Sequence, residues 1–155
     1  LGQGSTFEIY LPRVEDPAGE TPWTRLSDDR AYGNGVVLVV EDEEIIRSLC
    51  SKILRLRGWA VLEAANGREA LAIAKTHIGP IHLLIADVIM PEMGGQELVR
   101  QLLPSRPEMK VIYVSGYAGD DLDSRNLQEG GAAFLIKPFS PDDLARKIAG
   151  VMNLL

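Results

Sequence analysis

From residue 35 onward, the chain alternates short apolar runs with segments whose apolar residues recur at helical spacing. The first run, Gly35–Val40, is continuously apolar, which is typical of a strand buried on both faces. The later runs are similarly short and are bounded by turn residues or charges. Five strands are therefore predicted: Gly35–Val40, Trp59–Glu63, Ile81–Ala86, Val111–Val114 and Ala132–Ile136.

Five helices are predicted from the apolar spacing and from start and stop residues. Asn66, with Glu69 three residues later, resembles a capping box, and Ser140-Pro141 supplies an N-cap followed by a first-turn proline. Strands that alternate with helices imply right-handed crossovers and a parallel sheet covered on both faces, an α/β fold. The predicted helices are Glu43–Arg57, 66–77, Gly95–Leu103 (stopped by Pro104), the weakly amphipathic Asp120–Glu129, and a C-terminal helix from Pro141 to Leu155.

The first 34 residues have a different pattern. In residues 1–12, Phe7, Ile9 and Leu11 alternate with other residues, which predicts one strand with no partner of its own. Residues 13–34 are rich in proline, glycine and charge and have no period, which predicts a linker.

Polar side chains follow four of the predicted strands. Glu41 and Asp42 follow the first strand, Asp87 the third, Ser115 the fourth and Lys137 the fifth. In open parallel sheets, sites form beyond the carboxyl ends of the strands at the topological switch point. If the four strands lie side by side, these side chains converge in one pocket.

This set of side chains favours a hard cation and a phosphoryl group. Two carboxylates at ~4 Å repel each other by about 4 kcal/mol at an effective dielectric of ~20. Mg²⁺ relieves such repulsion and prefers carboxylate oxygens, and a carboxylate beside a metal and an ammonium group can form an acyl phosphate. Taken singly, each feature has a simpler explanation, because acids are common at helix N-termini and Asp, Ser-Gly and Lys-Pro are common in turns.

At these residues the sequence resembles the receiver domain of two-component response regulators, over Gly35 to Leu155. The resemblance implies a flavodoxin-like, doubly wound, five-stranded parallel sheet of order 2-1-3-4-5 with five helices. The motifs are Val-Leu-Val-Val-Glu-Asp-Glu (37–43), Leu-Leu-Ile-Ala-Asp-Val-Ile-Met-Pro-Glu-Met-Gly-Gly (83–95), Val-Ser-Gly-Tyr (114–117) and Phe-Leu-Ile-Lys-Pro-Phe (134–139).

The resemblance also implies roles at matching positions. Asp87 is expected to be the phosphoacceptor and Asp42 a direct Mg²⁺ ligand, with Glu41 acting through a bound water. The backbone carbonyl of Ile89 would complete the protein ligands. Lys137 would pair with Asp87 before phosphoryl transfer and with the phosphoryl group afterwards.

A conformational switch is implied as well. Ser115 is expected to donate its hydroxyl to the phosphoryl group, and Phe134 stands at the position of the aromatic residue that turns inward in response. The Lys137–Pro138 bond is expected to be cis. Ile89 and Tyr117 flank the path of an attacking water without offering it a carboxylate or amide, so we expect slow self-dephosphorylation.

Residues 1–12 resemble the closing glycine-rich box and final strand of a histidine-kinase ATP-binding domain. Gly2, Gly4 and Thr6-Phe7, with Leu11-Pro12, carry this likeness. It implies that the chain is the receiver end of a hybrid histidine kinase whose phosphodonor histidine lies upstream of residue 1.

Two histidines occur in the chain itself, and we expect structural roles for both. His77 falls at a helix end and His82 inside a buried strand. The expected partners are therefore a histidine-kinase phosphodonor domain, within the same parent chain or separate, and a histidine phosphotransfer domain. The family's usual partner surface corresponds to Asp120–Glu129, Ala132–Ile136 and Asp142–Met152.

Composition narrows the function classes. A net charge of -6 argues against a nucleic-acid surface, and no apolar run approaches the roughly 18 to 20 residues of a membrane span. The single cysteine, Cys50, fits a reducing cytoplasm. We therefore expect a cytoplasmic domain without membrane contact of its own, within a parent that can be membrane-associated.

Three alternatives to a phosphoacceptor fit the sequence less well. A Mg²⁺-dependent phosphatase with an aspartyl nucleophile usually has a second Asp two residues after the first, where this chain has Ile89. A flavin-binding module would need Ser, Thr and Gly amides after the first strand, where Glu41–Glu44 stand instead. A receiver-like module that only binds partners is disfavoured by the complete acid, hydroxyl and lysine set. As an enzyme, the chain would catalyse only its own phosphorylation and dephosphorylation.

Overall fold

The structure is a computed structural model that describes Glu8, residues 33–116 and residues 132–153. Several predictions concern residues outside these ranges: the strand in residues 1–12 apart from Glu8, nearly all of the linker, the helix Asp120–Glu129, and Tyr117.

The five predicted strands are present in one sheet. All neighbouring strands pair in parallel, and the order is β2-β1-β3-β4-β5, so the predicted flavodoxin-like topology is confirmed. The strands are β1 (Val36–Val40), β2 (Ala60–Ala64), β3 (Leu83–Asp87), β4 (Lys110–Ser115) and β5 (Ala133–Ile136).

Four helices lie within the described residues. They are α1 (Glu44–Leu56), α2 (Gly67–Thr76), α3 (Gly95–Leu102) and α4 (Pro141–Val151). Pro104 does not end α3 abruptly, because it lies in a short 3₁₀ turn, Leu103–Ser105, that continues the helix.

Capping side chains set the starts of α2 and α4. The side chain of Ser140 accepts a hydrogen bond from the amide of Asp143, and the Asp143 carboxylate accepts one from the Ser140 amide, a complete capping box. At α2, Asn66 accepts from the amide of Glu69 at 2.9 Å, as predicted. The Glu69 carboxylate bonds the amide of Ala65, one residue before the predicted partner.

Successive residues of the central strands face two apolar layers. Along β1, Val37 and Val39 pack with α1 and α4, whereas Leu38 and Val40 pack with α2 and α3. This alternation is the two-residue period of a strand applied to a sheet that is covered on both faces. The sheet is therefore a rigid support from which the carboxyl-end loops project.

Both histidines have structural surroundings. Nδ1 of His82 accepts a hydrogen bond from the amide of Val36 at 2.9 Å and joins the starts of two strands. His77 is the C-cap of α2, and its carbonyl accepts from Arg106. Among the residues that the structure describes, no helix combines the length and apolar character needed to cross a membrane.

Candidate functional site

The carboxyl ends of neighbouring strands bring the predicted acids together. Glu41 follows β1 and is buried, Asp42 follows it and is exposed, and Asp87 is the last residue of β3 and is buried. Because β1 and β3 are adjacent in the sheet, one carboxylate oxygen from each of the three acids lies within 4.8 Å of the others.

Lys137, directly after β5, bridges the two buried acids. Its Nζ lies 2.5 Å from Oδ2 of Asp87 and 2.8 Å from Oε2 of Glu41. The side chains of Glu41 and Asp87 are 5% and 11% exposed, so this ion bridge is largely shielded from water. The contact with Glu41 was not predicted, since the sequence resemblance paired Lys137 with Asp87 alone.

Burial and ion pairing shift the pKa values of Glu41 and Lys137 in opposite directions. Burial raises the pKa of the Glu41 carboxyl, and the hydrogen bond from Lys137 offsets only part of that effect. Burial by itself would lower the pKa of Lys137, but its hydrogen bonds with Asp87 and Glu41 outweigh burial and raise it. Lys137 is therefore a stable ammonium group at neutral pH.

The second oxygen of Asp87 is also engaged. Oδ1 accepts a hydrogen bond from the amide of Ile89 at 2.9 Å, so both carboxylate oxygens have partners. The following loop is close-packed on this backbone, because a Cβ atom on Gly95 would lie 2.4 Å from the carbonyl oxygen of Asp87. The Lys137–Pro138 peptide bond is cis, as expected.

The acidic set fits a hard divalent cation. Three carboxylates held this closely repel one another, and a doubly charged ion with oxygen preference relieves that repulsion. Exposed Asp42 leaves one side of the cluster open to water, which suits a metal that retains part of its hydration shell. Lys137 supplies a positive charge beside the two buried acids.

The predicted switch residues lie on neighbouring strands. Ser115, the last residue of β4, is buried, and its carbonyl accepts from the amide of Lys137 at 2.7 Å. Phe134 on β5 is partly buried and stacks on Tyr113 of β4, with ring centroids 5.4 Å apart. Tyr113 was not singled out from the sequence, because an aromatic residue in an apolar strand normally indicates core.

One further side chain beside the acidic loop could not be identified from the sequence pattern. Arg47, in the first turn of α1, donates to the carbonyl oxygen of Glu41 at 2.7 Å. A basic residue in a helix is usually solvated, so the pattern alone gives no reason to select it.

Cys50, on the buried face of the same helix, has its thiol pKa raised to about 11, first by burial and then by the negative charge of Glu41.

Comparisons with known proteins agree with this geometry. The family model described as the response regulator receiver domain matches residues 37–149. The chain is 40% identical over 161 residues to the sensor kinase CckA of Brucella abortus (strain 2308), an alignment with 99% of this chain and 17% of that protein. It is 33% identical over 112 residues to the response regulator receiver protein CpdR of the same organism, covering 72% of this chain and 92% of CpdR.

Solved structures give the same result. The receiver domain of the hybrid histidine kinase CckA is 39% identical, with a TM-score of 0.65, over 76% of this chain and 99% of that domain. A CheY-like receiver domain protein from Methanospirillum hungatei JF-1 is 32% identical, with a TM-score of 0.70, over 79% of this chain and 96% of the other.

Proposed function

Because this chain belongs to the response regulator receiver family, we propose that Asp87 is the residue that accepts a phosphoryl group, in a Mg²⁺-dependent reaction. The observation that carries the proposal is the bridge from Lys137 to Asp87 and Glu41, with the Asp42 carboxylate beside it. This pocket combines a nucleophilic carboxylate, a fixed positive charge and an acidic cluster at one edge of the sheet.

Asp87 would attack the phosphorus atom of a phosphohistidine. A carboxylate oxygen forms the new P–O bond as the P–N bond breaks, and the bonding electron pair returns to the imidazole nitrogen. Each oxygen of Asp87 accepts one hydrogen bond, from Ile89 or from Lys137, and keeps a second lone pair with which it can attack. Lys137 can release Asp87 without losing all pairing, because Glu41 holds the same ammonium group.

The proposed metal ligands are the carboxylates of Asp42 and Asp87, the backbone carbonyl of Ile89, and Glu41 through a water molecule. When bound, Mg²⁺ would neutralise the acidic cluster and the charge on the transferring phosphoryl oxygens. Glu41 is suited to an indirect role because Lys137 already bonds both of its oxygens.

The hydroxyl of Ser115 is proposed to bind the phosphoryl group after transfer, which would draw Ser115 toward Asp87. Phe134 could follow into the space left behind, and its stacking on Tyr113 would have to change. Phe134 has no hydroxyl, so this output depends on packing alone. Slow hydrolysis belongs to the same proposal, because Ile89 offers no group that orients a water.

The phosphodonor is proposed to be a helical histidine-kinase or phosphotransfer domain that docks on α1. Ile45, Leu49 and Leu56 are 76%, 48% and 74% exposed. At about 100° per residue, the three lie within about 40° of one another on the helix, opposite its buried face. The end of α1 that carries Ile45 borders the acidic pocket, and an exposed apolar stripe there is typical of an interaction site.

The parent protein is proposed to be a hybrid histidine kinase. Nearly all of this chain aligns with part of one sensor kinase, and a receiver domain (35–155), a linker (13–34) and a kinase remnant (1–12) are the proposed divisions. A histidine phosphotransfer domain would then be the next acceptor of the phosphoryl group. We propose a cytoplasmic location, which the single buried thiol of Cys50 suits.

Acetyl phosphate tests the phosphorylation chemistry directly. Incubated with this donor and Mg²⁺, the protein should gain the mass of one phosphoryl group, and Asp87→Asn should gain none. Asp142→Asn is the matched control, because Asp142 is an exposed residue of α4. Uptake by Asp87→Asn equal to that of the wild type would exclude Asp87, and a half-life of seconds would contradict slow hydrolysis.

Transfer from a phosphorylated histidine kinase tests the docking face separately. Ile45→Ser combined with Leu49→Ser should slow this transfer while leaving uptake from acetyl phosphate unchanged. Ile78→Ser is the control. Ile78 is 97% exposed, but it lies between the end of α2 and the start of β3, at the amino ends of the strands and away from the acidic pocket. Equal transfer rates for both variants would exclude the α1 face.

A further inference from the structure

Arg47 reaches back from α1 to the loop that carries the metal-site acids. Its Nη1 donates to the carbonyl oxygen of Glu41 at 2.7 Å and lies 3.4 Å from that of Asp42. On the other side, the amide of Glu41 donates to the carbonyl of Ala64 at 3.2 Å. Glu43, the N-cap of α1, makes no side-chain capping bond. Arg47 thus ties the backbone of this loop to the helix, beside the hydrogen bond that the Glu41 carboxylate accepts from the amide of Glu43.

We propose that Arg47 is a positioning residue for cation binding. The carbonyls of Glu41 and Asp42 belong to the two peptide planes that flank Asp42, and each plane is rigid. A donor that holds both planes restricts φ and ψ of Asp42 and so sets the direction of its Cα–Cβ bond. Arg47 therefore aims the exposed Asp42 carboxylate into the cluster with Glu41 and Asp87. This inference rests on the proposed function, because the cation is the one proposed for that cluster.

Charge and positioning predict opposite effects of removing Arg47. A guanidinium group close to a cation site repels the cation, so its charge alone would weaken metal binding. If charge were its only effect, a neutral replacement would bind Mg²⁺ more tightly. If Arg47 positions the loop, the same replacement binds more weakly, by about tenfold as for other residues that orient metal ligands.

Mg²⁺ titration by calorimetry on the full chain, without a phosphoryl donor, distinguishes the two effects. Arg47→Met removes the donors and keeps the aliphatic length, and its Mg²⁺ affinity should fall about tenfold. Arg47→Lys should restore part of the affinity, because a lysine can still donate to one carbonyl. Arg146→Met removes the same charge from an exposed position on α4 and should bind as the wild type does.

Backbone amide exchange provides a readout without metal. In chelator, the amides of Asp42 and Glu43 should exchange faster in Arg47→Met than in the wild type or in Arg146→Met. Mg²⁺ binding by Arg47→Met that is as tight as in the wild type, or tighter, overturns the proposal. If Arg47→Met does not fold, Arg47→Lys is compared with the wild type instead. Weaker Mg²⁺ binding by Arg47→Lys supports the proposal, and equal or tighter binding overturns it.

The outcome for Arg47 can be separated from that for the proposed function. A wild-type protein that bound no Mg²⁺ would contradict the proposed function. The exchange rates of Asp42 and Glu43 in the metal-free protein would then decide the role of Arg47 alone, and unchanged rates in Arg47→Met would refute it.

Discussion

Replacing Lys137 with methionine isolates the energetics of the buried charge bridge. Methionine has a similar length, so the change removes the ammonium group with little change in volume. It leaves Glu41 and Asp87 facing each other, with side chains that are only 5% and 11% exposed. The free energy of unfolding of the metal-free protein should fall, because two shielded carboxylates lose their common counter-charge.

The size of this loss can be bounded in two ways. Removing one partner of a buried ion pair typically costs about 3–5 kcal/mol. Two carboxylates at ~4 Å with an effective dielectric of ~20 repel by about 4 kcal/mol, which is of the same order. Since Lys137 is partly exposed, we expect a loss at the lower end of this range, about 3 kcal/mol at neutral pH.

The pH dependence has a definite sign. The pKa of Glu41 is raised by burial above its ordinary value of 4.5, so the folded state binds a proton more readily than the unfolded state. Protonation therefore favours folding as pH falls, and that contribution is lost as pH rises through the folded pKa. Without Lys137 the pKa of Glu41 should rise further, so the stability deficit of the variant should narrow as pH falls from neutral toward the ordinary value of 4.5.

Urea unfolding followed by circular dichroism measures these changes. Wild type, Lys137→Met and the control Lys110→Met, an exposed residue at the start of β4, are compared in chelator and in Mg²⁺. Mg²⁺ should stabilise Lys137→Met more than the wild type, and adding Glu41→Gln should recover part of the chelator deficit. A loss below about 0.5 kcal/mol for Lys137→Met, the range of ordinary surface changes, would refute a shared buried bridge.

Three further changes test other parts of the molecule by the same unfolding measurement. Arg106→Ala should cost about 2–3 kcal/mol, because its guanidinium group donates to three backbone carbonyls at and beyond the end of α2. Ser51→Ala should stabilise by about 1 kcal/mol, because in the described part of the chain the buried Ser51 hydroxyl has no hydrogen-bond partner. Asp143→Asn should destabilise the protein at neutral pH but not in acid. The hydrogen bond from Ser140 lowers the pKa of Asp143, so its contribution is present above the ordinary 3.8 and is lost as pH falls through the folded pKa.

Each of these has a clear contrary result. A change below about 0.5 kcal/mol for Arg106→Ala would show that solvent replaces its three hydrogen bonds. Destabilisation by Ser51→Ala would show that the hydroxyl has a partner. An Asp143→Asn deficit that persisted unchanged in acid would show that the capping charge is not its source.

Much of the fold could be predicted from local patterns. Strands buried on both faces leave continuous apolar runs, and cap residues such as Asn66 and Ser140 make hydrogen bonds only three residues away, so both signals lie within short windows. The acids and the lysine of the site were found because parallel strands place their carboxyl ends along one edge. The order of the strands came from the family resemblance, since no local pattern states which strands are neighbours.

Only the tertiary structure decided how these residues pair. Lys137 and Glu41 are 96 residues apart in sequence and follow β5 and β1, which have β3 and β4 between them, so their contact depends on side-chain directions across the sheet. The hydrogen bond from Arg106 to the carbonyl of Ala74 at the end of α2 also joins residues distant in sequence, and so does the stacking of Tyr113 on Phe134. Periodicity and capping report interactions between near neighbours in the chain. Contacts between distant residues depend on packing geometry, which is determined only when the whole core is assembled.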